Sequence, residues 1–471
     1  MKRPLFVFFL FIIAGCTSTQ KIATLKNEGV HLITLDPGHF HAALVQKTMY
    51  PGVDPVVHVY APDGPDLQLH LDRINSYNNR AEDPTRWKED VYTGNDFLDK
   101  MLTQKRARPN GAAGRRNVVV MAGNNQKKTE YIFKAINAGF NVLADKPMAI
   151  DKKNFELLRS AFVAAEKKNV LLYDIMTERY EITTILQKEL SLLPRVFGQL
   201  TKGTAENPAV TKESVHHFFK YISGSALIRP PWFMDVTQEG EGIVDVTTHL
   251  VDLVQWECFP EQVIDYTKDI KLTSARRWST DMTATQFNAL TKLNGFPGYL
   301  KKYVVNDTVL KVYSNSEINY ALKGVHAKVS VIWKFKAPEG TGDTHYSIMR
   351  GTKASLVIRQ GAEQNYKPVL YIEPIDANDA SYANTLKEQL RSIQSKYPGV
   401  DIQKNTTGWK VIIPEKYNEG HETHFARVME KFLQYFKEGR LPVWEVPNMI
   451  AKYYTTTSAL EMALQTKGTA Q

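Results

Sequence analysis

Val118-Val119-Val120-Met121-Ala122-Gly123-Asn124-Asn125 and, one helix further on, Asn141-Val142-Leu143-Ala144-Asp145-Lys146-Pro147 decide the fold of this 471-residue chain. Each is an unbroken apolar run that ends in turn residues. A strand covered on both faces reads this way, whereas a half-exposed strand alternates. Between them Ile132, Phe133 and Ile136 share one helical face, and Gly139 stops the helix. Towards the N-terminus, Val30 to Leu35 and Val56 to Tyr60 are two more strands, each followed by a helical pattern, Phe40 to Met49 and Leu67 to Tyr77. Asp90 to Tyr92 is a short strand, and Asn95 caps a helix over Phe97, Leu98 and Met101. Towards the C-terminus come a helix around Phe155 to Lys167 and a strand at Val170 to Tyr173. Strands and helices that alternate with short connections predict a Rossmann-type α/β domain with a parallel sheet over residues 30–175.

Beyond residue 175 the pattern changes. Val325 to Phe335 and Lys353 to Arg359 are strands that partly alternate apolar with polar residues. Such strands predict a large open, mostly antiparallel sheet with one solvated face. Helices around Phe425 to Gly439 and Met449 to Leu464 close the chain. The second domain, 176–471, carries an insertion around 364–420 with a helix at Ala380 to Gln394 and a hairpin at Val400 to Ile413.

The N-terminus sets an expected compartment. Lys2 and Arg3 precede an apolar run, Leu5 to Ile13, and Ala14-Gly15-Cys16 precedes a polar stretch. A charged start, a short apolar core and small residues form a signal peptide rather than a spanning helix. The Ile-Ala-Gly-Cys ending makes residues 1–16 a lipoprotein signal with Cys16 as the lipidated residue, and 17–29 a tether. The expected location is the bacterial cell envelope, lipid-anchored, periplasmic or outer-membrane associated. Cys258 is the other of two cysteines, so no internal disulfide is expected in a processed chain. The formal charge of +9 is mild and scattered, apart from Lys105, Arg106, Arg108, Arg115 and Arg116 in a Gly- and Pro-containing loop. Without interleaved aromatics this is not a nucleic-acid footprint.

Three stretches carry chemistry. After the first strand comes Asp36-Pro37-Gly38-His39-Phe40-His41, where a dinucleotide fold places its phosphate turn; of the G-x-G-x-x-G glycines only the middle one is present. Asp36 sets negative charge near phosphate, and Asp63 is the nearest acid after the second strand, which leaves NAD or NADP open. Lys146 ends a buried strand at the carboxyl edge, where open parallel sheets bind ligands; it can stabilise a developing alkoxide. The run Gly240 to Asp252 reads as a helix in which Asp245 and His249, at i and i+4, meet on one face, so that Asp245 orients His249 as a proton acceptor.

Together these motifs resemble the glucose–fructose oxidoreductase, inositol dehydrogenase and rhizopine-catabolism (Gfo/Idh/MocA) family from about Val30 to Leu464. The resemblance implies an NAD(P)-dependent oxidoreductase acting on CH–OH groups, with Lys146, Asp245 and His249 catalytic; Asp145 stands where the family has glutamate. Gly38, His39, Phe40, His41, Asn124, Asn125, Asp145, Lys146 and Arg179 are then the expected cofactor-binding residues. Gly123-Asn124-Asn125 matches the family's T-P-N turn, Thr177-Glu178-Arg179-Tyr180 its N-R-R-F turn and Arg350-Gly351-Thr352-Lys353-Ala354 its G-T-x-G turn. Tyr180, His217, Trp232 and His249 are expected to face the substrate, a sugar or other polyol. No metal site is expected; His421-Glu422-Thr423-His424 has two histidines about an acid but no evident third ligand.

Two other readings stay open. One is glycoside cleavage by transient oxidation and elimination, with Tyr180 or His217 as base; the other is a non-enzymatic sugar-binding lipoprotein. A tightly held cofactor suits an enzyme outside the cytoplasm, and the open sheet is a candidate homo-oligomer contact.

Overall fold

In the computed structural model, residues 29–106, 116–222, 225–376, 379 and 381–466 are described. The signal segment 1–16 with Cys16, the tether up to residue 28 and most of the basic loop at 107–115 lie outside them.

Strands β1 (His31–Leu35), β2 (Val56–Ala61), β3 (Lys88–Thr93), β4 (Asn117–Met121), β5 (Asn141–Asp145) and β6 (Leu172–Ile175) form one parallel sheet in the order β3-β2-β1-β4-β5-β6. Its connections are α1 (His41–Val45), α2 (Pro65–Asn79), α3 (Phe97–Arg106), α4 (Asn125–Asn137) and α5 (Lys152–Lys168). The order reverses between β1 and β4, and a crevice opens at such a switch point beyond the carboxyl ends of the strands. Ala144, Val119 and Leu32 on adjacent strands are fully buried, as the unbroken apolar runs require. β1 and β4 pair from His31↔Asn117 to Leu35↔Met121, which brings their two following turns together. A Cβ on Gly123 would lie 1.9 Å from the Asp36 carbonyl oxygen, so only glycine permits that approach.

The chain then passes through α6 (Ile182–Ser191) into a mixed, mostly antiparallel sheet. It contains β7 (Val210–Phe219), β10 (Ile270–Thr283), β11 (Val304–Val305), β12 (Val309–Leu322), β13 (Val325–Lys336), β14 (Thr344–Arg350), β15 (Ala354–Arg359), β16 (Val369–Pro374), β17 (Asp401–Lys404) and β18 (Trp409–Ile412). The short pair β8 (Tyr221–Ile222) and β9 (Ser225–Ala226) stands apart. Helix α7 (Thr247–Cys258) packs on β7 and β13; α8 (Ala284–Thr291) and α9 (Tyr382–Lys396) flank the sheet. Helix α10 (His421–Glu438) returns to the first domain, where Phe425, Val428, Met429 and Phe432 enter its apolar core, and α11 (Glu445–Gln465) bridges both cores. No described helix is long and apolar enough to cross a membrane.

Three boundaries differ from the sequence reading. Helix α1 stops at Val45, whose carbonyl oxygen accepts from the Tyr50 hydroxyl at 2.7 Å. β6 lies two residues later than expected, at Leu172–Ile175. The helix read from Gly240 starts only at Thr247. The segment before it is tied to β12: the Gly242 amide donates to the Tyr313 carbonyl, and a Cβ there would lie 1.8 Å from the Ser314 oxygen.

Candidate active site

The crevice at the switch point is a small pocket between the domains. The turn after β1 supplies His39, Phe40 and His41, β5 leads into Lys146, and the turn after β6 supplies Glu178. The second domain adds His216, Lys220, Arg229, Phe233, Glu239, Asp245, His249 and Trp333, and the start of α10 adds His421. The three expected catalytic side chains therefore line one cavity, although Lys146 stands 99 positions before Asp245.

Their pairing is not the one expected. Lys146 Nζ donates to Asp245 Oδ1, and both groups are buried. Asp245 lies in the turn before α7 begins, its carboxylate accepts from Lys146, and among the described residues no hydrogen bond joins it to His249. His249 Nδ1 is instead buried without a hydrogen-bond partner among the described residues. Burial depresses the Lys146 ammonium, but Asp245, Asp145 and Glu239 outweigh it and hold the group above its ordinary value. Burial lowers His249 to about 3, opposed by the Glu178 charge and reinforced by Lys146. The acid that favours the His249 imidazolium is thus Glu178, not Asp245. Burial together with Asp245 raises the Glu239 carboxyl well above its usual range. Glu178 is itself held low: burial pushes it up, and the hydrogen bond and charge of His421 overcome that.

Several other expected contacts are structural. Arg179 forks onto Asp252 at 2.6 and 2.7 Å and reaches Glu445 at 3.0 Å, inside the protein. Asn124 caps α4 through the Gln126 amide and donates to Gln238 Oε1; Asn125 donates to the Glu239 carbonyl oxygen at 2.7 Å. His217 is buried against Asp343 Oδ1 at 3.0 Å, while its neighbour His216 faces the pocket. Trp232 donates to Asp66 Oδ2 at 2.7 Å, and its ring covers Gly38. Tyr180 packs at the edge of the first core. Glu239 and Arg229 carry no sequence motif, and Glu178 and His421 sit in motifs read for other roles; the fold brings all four to the pocket.

A dinucleotide laid across this crevice meets two different halves. At the carboxyl ends of β4, β5 and β6 the nicotinamide half would find Lys146, a polar rim and His249. At the turn after β1 the usual diphosphate cradle is taken up by the protein itself. The Gly38 amide donates to Asp36 O, the His39 amide to Ala122 O, the Ala42 amide to His39 O and the His41 amide to His39 Nδ1. Asp36 and Asp66 add carboxylates there, and burial raises Asp36 to about 6. The residues fit the reacting half of such a cofactor, whose diphosphate would have to be held by groups other than these amides.

Residues 186–464 match the family model described as "Putative oxidoreductase C terminal domain". A crystal structure of a "putative oxidoreductase" from Parabacteroides merdae is 57% identical, covers 93% of this chain and 98% of its own, and superposes with a TM-score of 0.89. The chain belongs to the Gfo/Idh/MocA family of oxidoreductases. Levoglucosan dehydrogenase in complex with NADH is 12% identical over 93% of this chain and 97% of its own, with a TM-score of 0.57. A 3-ketoreductase from Actinomadura kijaniata, in complex with NADP, is 12% identical over 90% and 95%, with a TM-score of 0.51. These two share this chain's fold. A search of curated proteins finds no match.

Proposed function

We propose that this Gfo/Idh/MocA oxidoreductase transfers hydride between NAD or NADP and a hydroxyl-bearing carbon of a sugar or glycoside. The observation that carries the reading is the buried Lys146–Asp245 ion pair beside the unpartnered Nδ1 of His249, at the carboxyl edge of a parallel sheet. Solved neighbours of the same fold bind NADH with levoglucosan or L-sorbose.

The bound nicotinamide supplies the hydride acceptor or donor. The chain's residues govern the oxygen and its proton. Lys146, kept charged chiefly by Asp245 and Asp145, donates to the substrate oxygen and stabilises negative charge as it develops. His249, kept neutral by burial, accepts the hydroxyl hydrogen on its imidazole. Its depressed basicity makes it a weak acceptor in the resting site, and Glu178 stabilises the imidazolium once formed. Arg229 and Lys220, which line the same pocket, suit further sugar hydroxyls.

A second observation favours an extended substrate. A cleft walled by Lys367, Lys410, Ile412 and Tyr417 of the insertion also contains Glu178 and His421, and so adjoins the pocket. A glycoside would place one ring at Lys146 and its aglycone in the cleft, which suits redox-neutral glycoside cleavage. The chain is further proposed to be a lipoprotein anchored through Cys16 in the cell envelope, with a retained cofactor and self-association through the open sheet. Denaturing the purified protein and weighing what it releases tests the cofactor. A sugar and glycoside panel then separates net reduction of NAD(P) from aglycone release without it. Wild-type turnover by Lys146→Ala would remove the site assignment.

A further inference from the structure

We infer that His39, His41 and Asp145 form a binding site for one divalent transition-metal cation. The site is built from the turn after β1 and the end of β5. His41 Nδ1 lies 2.8 Å from Asp145 Oδ2, and His39 Nδ1 lies 3.8 Å from the same oxygen. One ligand atom from each residue lies within 4.8 Å of the other two. Zinc binds imidazole nitrogen and carboxylate oxygen at about 2.0–2.2 Å, which sets ligand atoms roughly 3.4 Å apart in a tetrahedron. To share a cation the His41–Asp145 pair would open by about 0.6 Å and the His39–Asp145 pair close by about 0.4 Å, the metal replacing the His41–Asp145 hydrogen bond and the weak one from the His41 amide to His39 Nδ1.

The cluster is ordered in advance. The His41 ring is held by His39, Phe40 and Phe425 at centroid distances of 4.1, 4.4 and 4.6 Å. His41 and Asp145 are buried, so the cation would lose little to competing water. Two imidazoles and one carboxylate suit zinc, iron(II), cobalt(II) or manganese(II), and three protein ligands leave at least one position open. That position faces the pocket, because His39 and His41 line it together with His249, whose Nδ1 has no partner, and Glu178. The nearby Lys146 amine is turned away to Asp245, and Lys128 donates to the Asp145 main-chain oxygen at 3.1 Å, not to its carboxylate. By contrast, the His421 and His424 rings stand 6.1 Å apart and His421 is engaged with Glu178, so that pair does not converge. The same histidines fill the turn where a diphosphate cradle is missing. A substrate hydroxyl or water in the open position is the ligand class expected to complete the site.

The inference does not rest on the redox reading, and its test does not read activity. The purified full chain is stripped with chelator and titrated with cobalt(II) while visible d–d absorption is recorded; zinc content is measured after gel filtration. One equivalent of either metal and a cobalt spectrum of a four- or five-coordinate nitrogen–oxygen site are expected. His39→Gln and His41→Gln should each weaken cobalt binding about tenfold or more, whereas His421→Gln and His424→Gln should keep the spectrum. Should His41→Gln fail to fold by circular dichroism, the less buried His39→Gln carries the test. Absence of stoichiometric binding, or binding that survives loss of His39, overturns the site.

Discussion

Replacing Asp245 with asparagine separates two accounts of the pocket. In the structure Asp245 is the acceptor for Lys146, and both are buried. Removing one charge of a buried pair costs about 3–5 kcal/mol when nothing replaces it. Here asparagine keeps the accepting oxygen, and Asp145 still attracts the ammonium, so the loss should be about 2–3 kcal/mol. Lys146 is held above its ordinary 10.5 in the folded protein. Its contribution to stability is therefore complete below about pH 10.5 and is lost as pH rises through the folded value. In Asp245→Asn the folded value falls, so the variant is less stable at neutral pH and its alkaline loss begins earlier. Denaturant melts from pH 6 to 11 measure this. In the pH–rate profile the alkaline limb should move down and the acid limb should stay, because Asp245 does not hold His249. An unmoved alkaline limb, or an acid limb displaced by the substitution, would falsify the pairing.

Glu178→Gln removes the carboxylate that favours protonated His249; turnover should fall roughly tenfold to a hundredfold and any acid limb should shift to lower pH, while Lys146-dependent alkaline behaviour is kept. Asp252→Ala leaves Arg179 and Lys452 short of a shared carboxylate, Lys452 Nζ standing 2.8 Å from it. Denaturation should show a loss of about 3–5 kcal/mol with turnover per folded molecule little changed, and a large kinetic defect would return Arg179 to the cofactor site. Cys16→Ser should abolish incorporation of labelled palmitate and shift the protein out of the membrane fraction; labelling that persists sinks the anchor.

Buried parallel strands are legible because both faces must be apolar, so Val118 to Met121 and Val142 to Ala144 announce themselves without help from the rest of the chain. Lys146 is legible for a related reason: a charged residue that ends such a strand stands at the edge where ligands bind. The candidate site was read only as far as local rules reach. Asp245 and His249 read as one helical turn because they stand at i and i+4 within a mostly apolar segment. Packing decided otherwise. The Gly242 backbone must lie against Ser314 on β12, which delays α7 to Thr247 and leaves Asp245 free to meet Lys146.

The sequence alone determined the parallel sheet, the change of architecture near residue 175, the family, and the three side chains around which the pocket is built. Those follow from periodicity and short-range spacing. Tertiary structure alone decided which acid serves which base, that Arg179, His217 and Trp232 are occupied inside the protein, and that α10 completes the first domain's core. It also decided that His39, His41 and Asp145 converge. Such contacts join residues as far apart as His41 and Asp145, whose hydrogen bond spans 104 positions. No local pattern fixes them, because burial and charge compensation are settled only when the whole chain has packed.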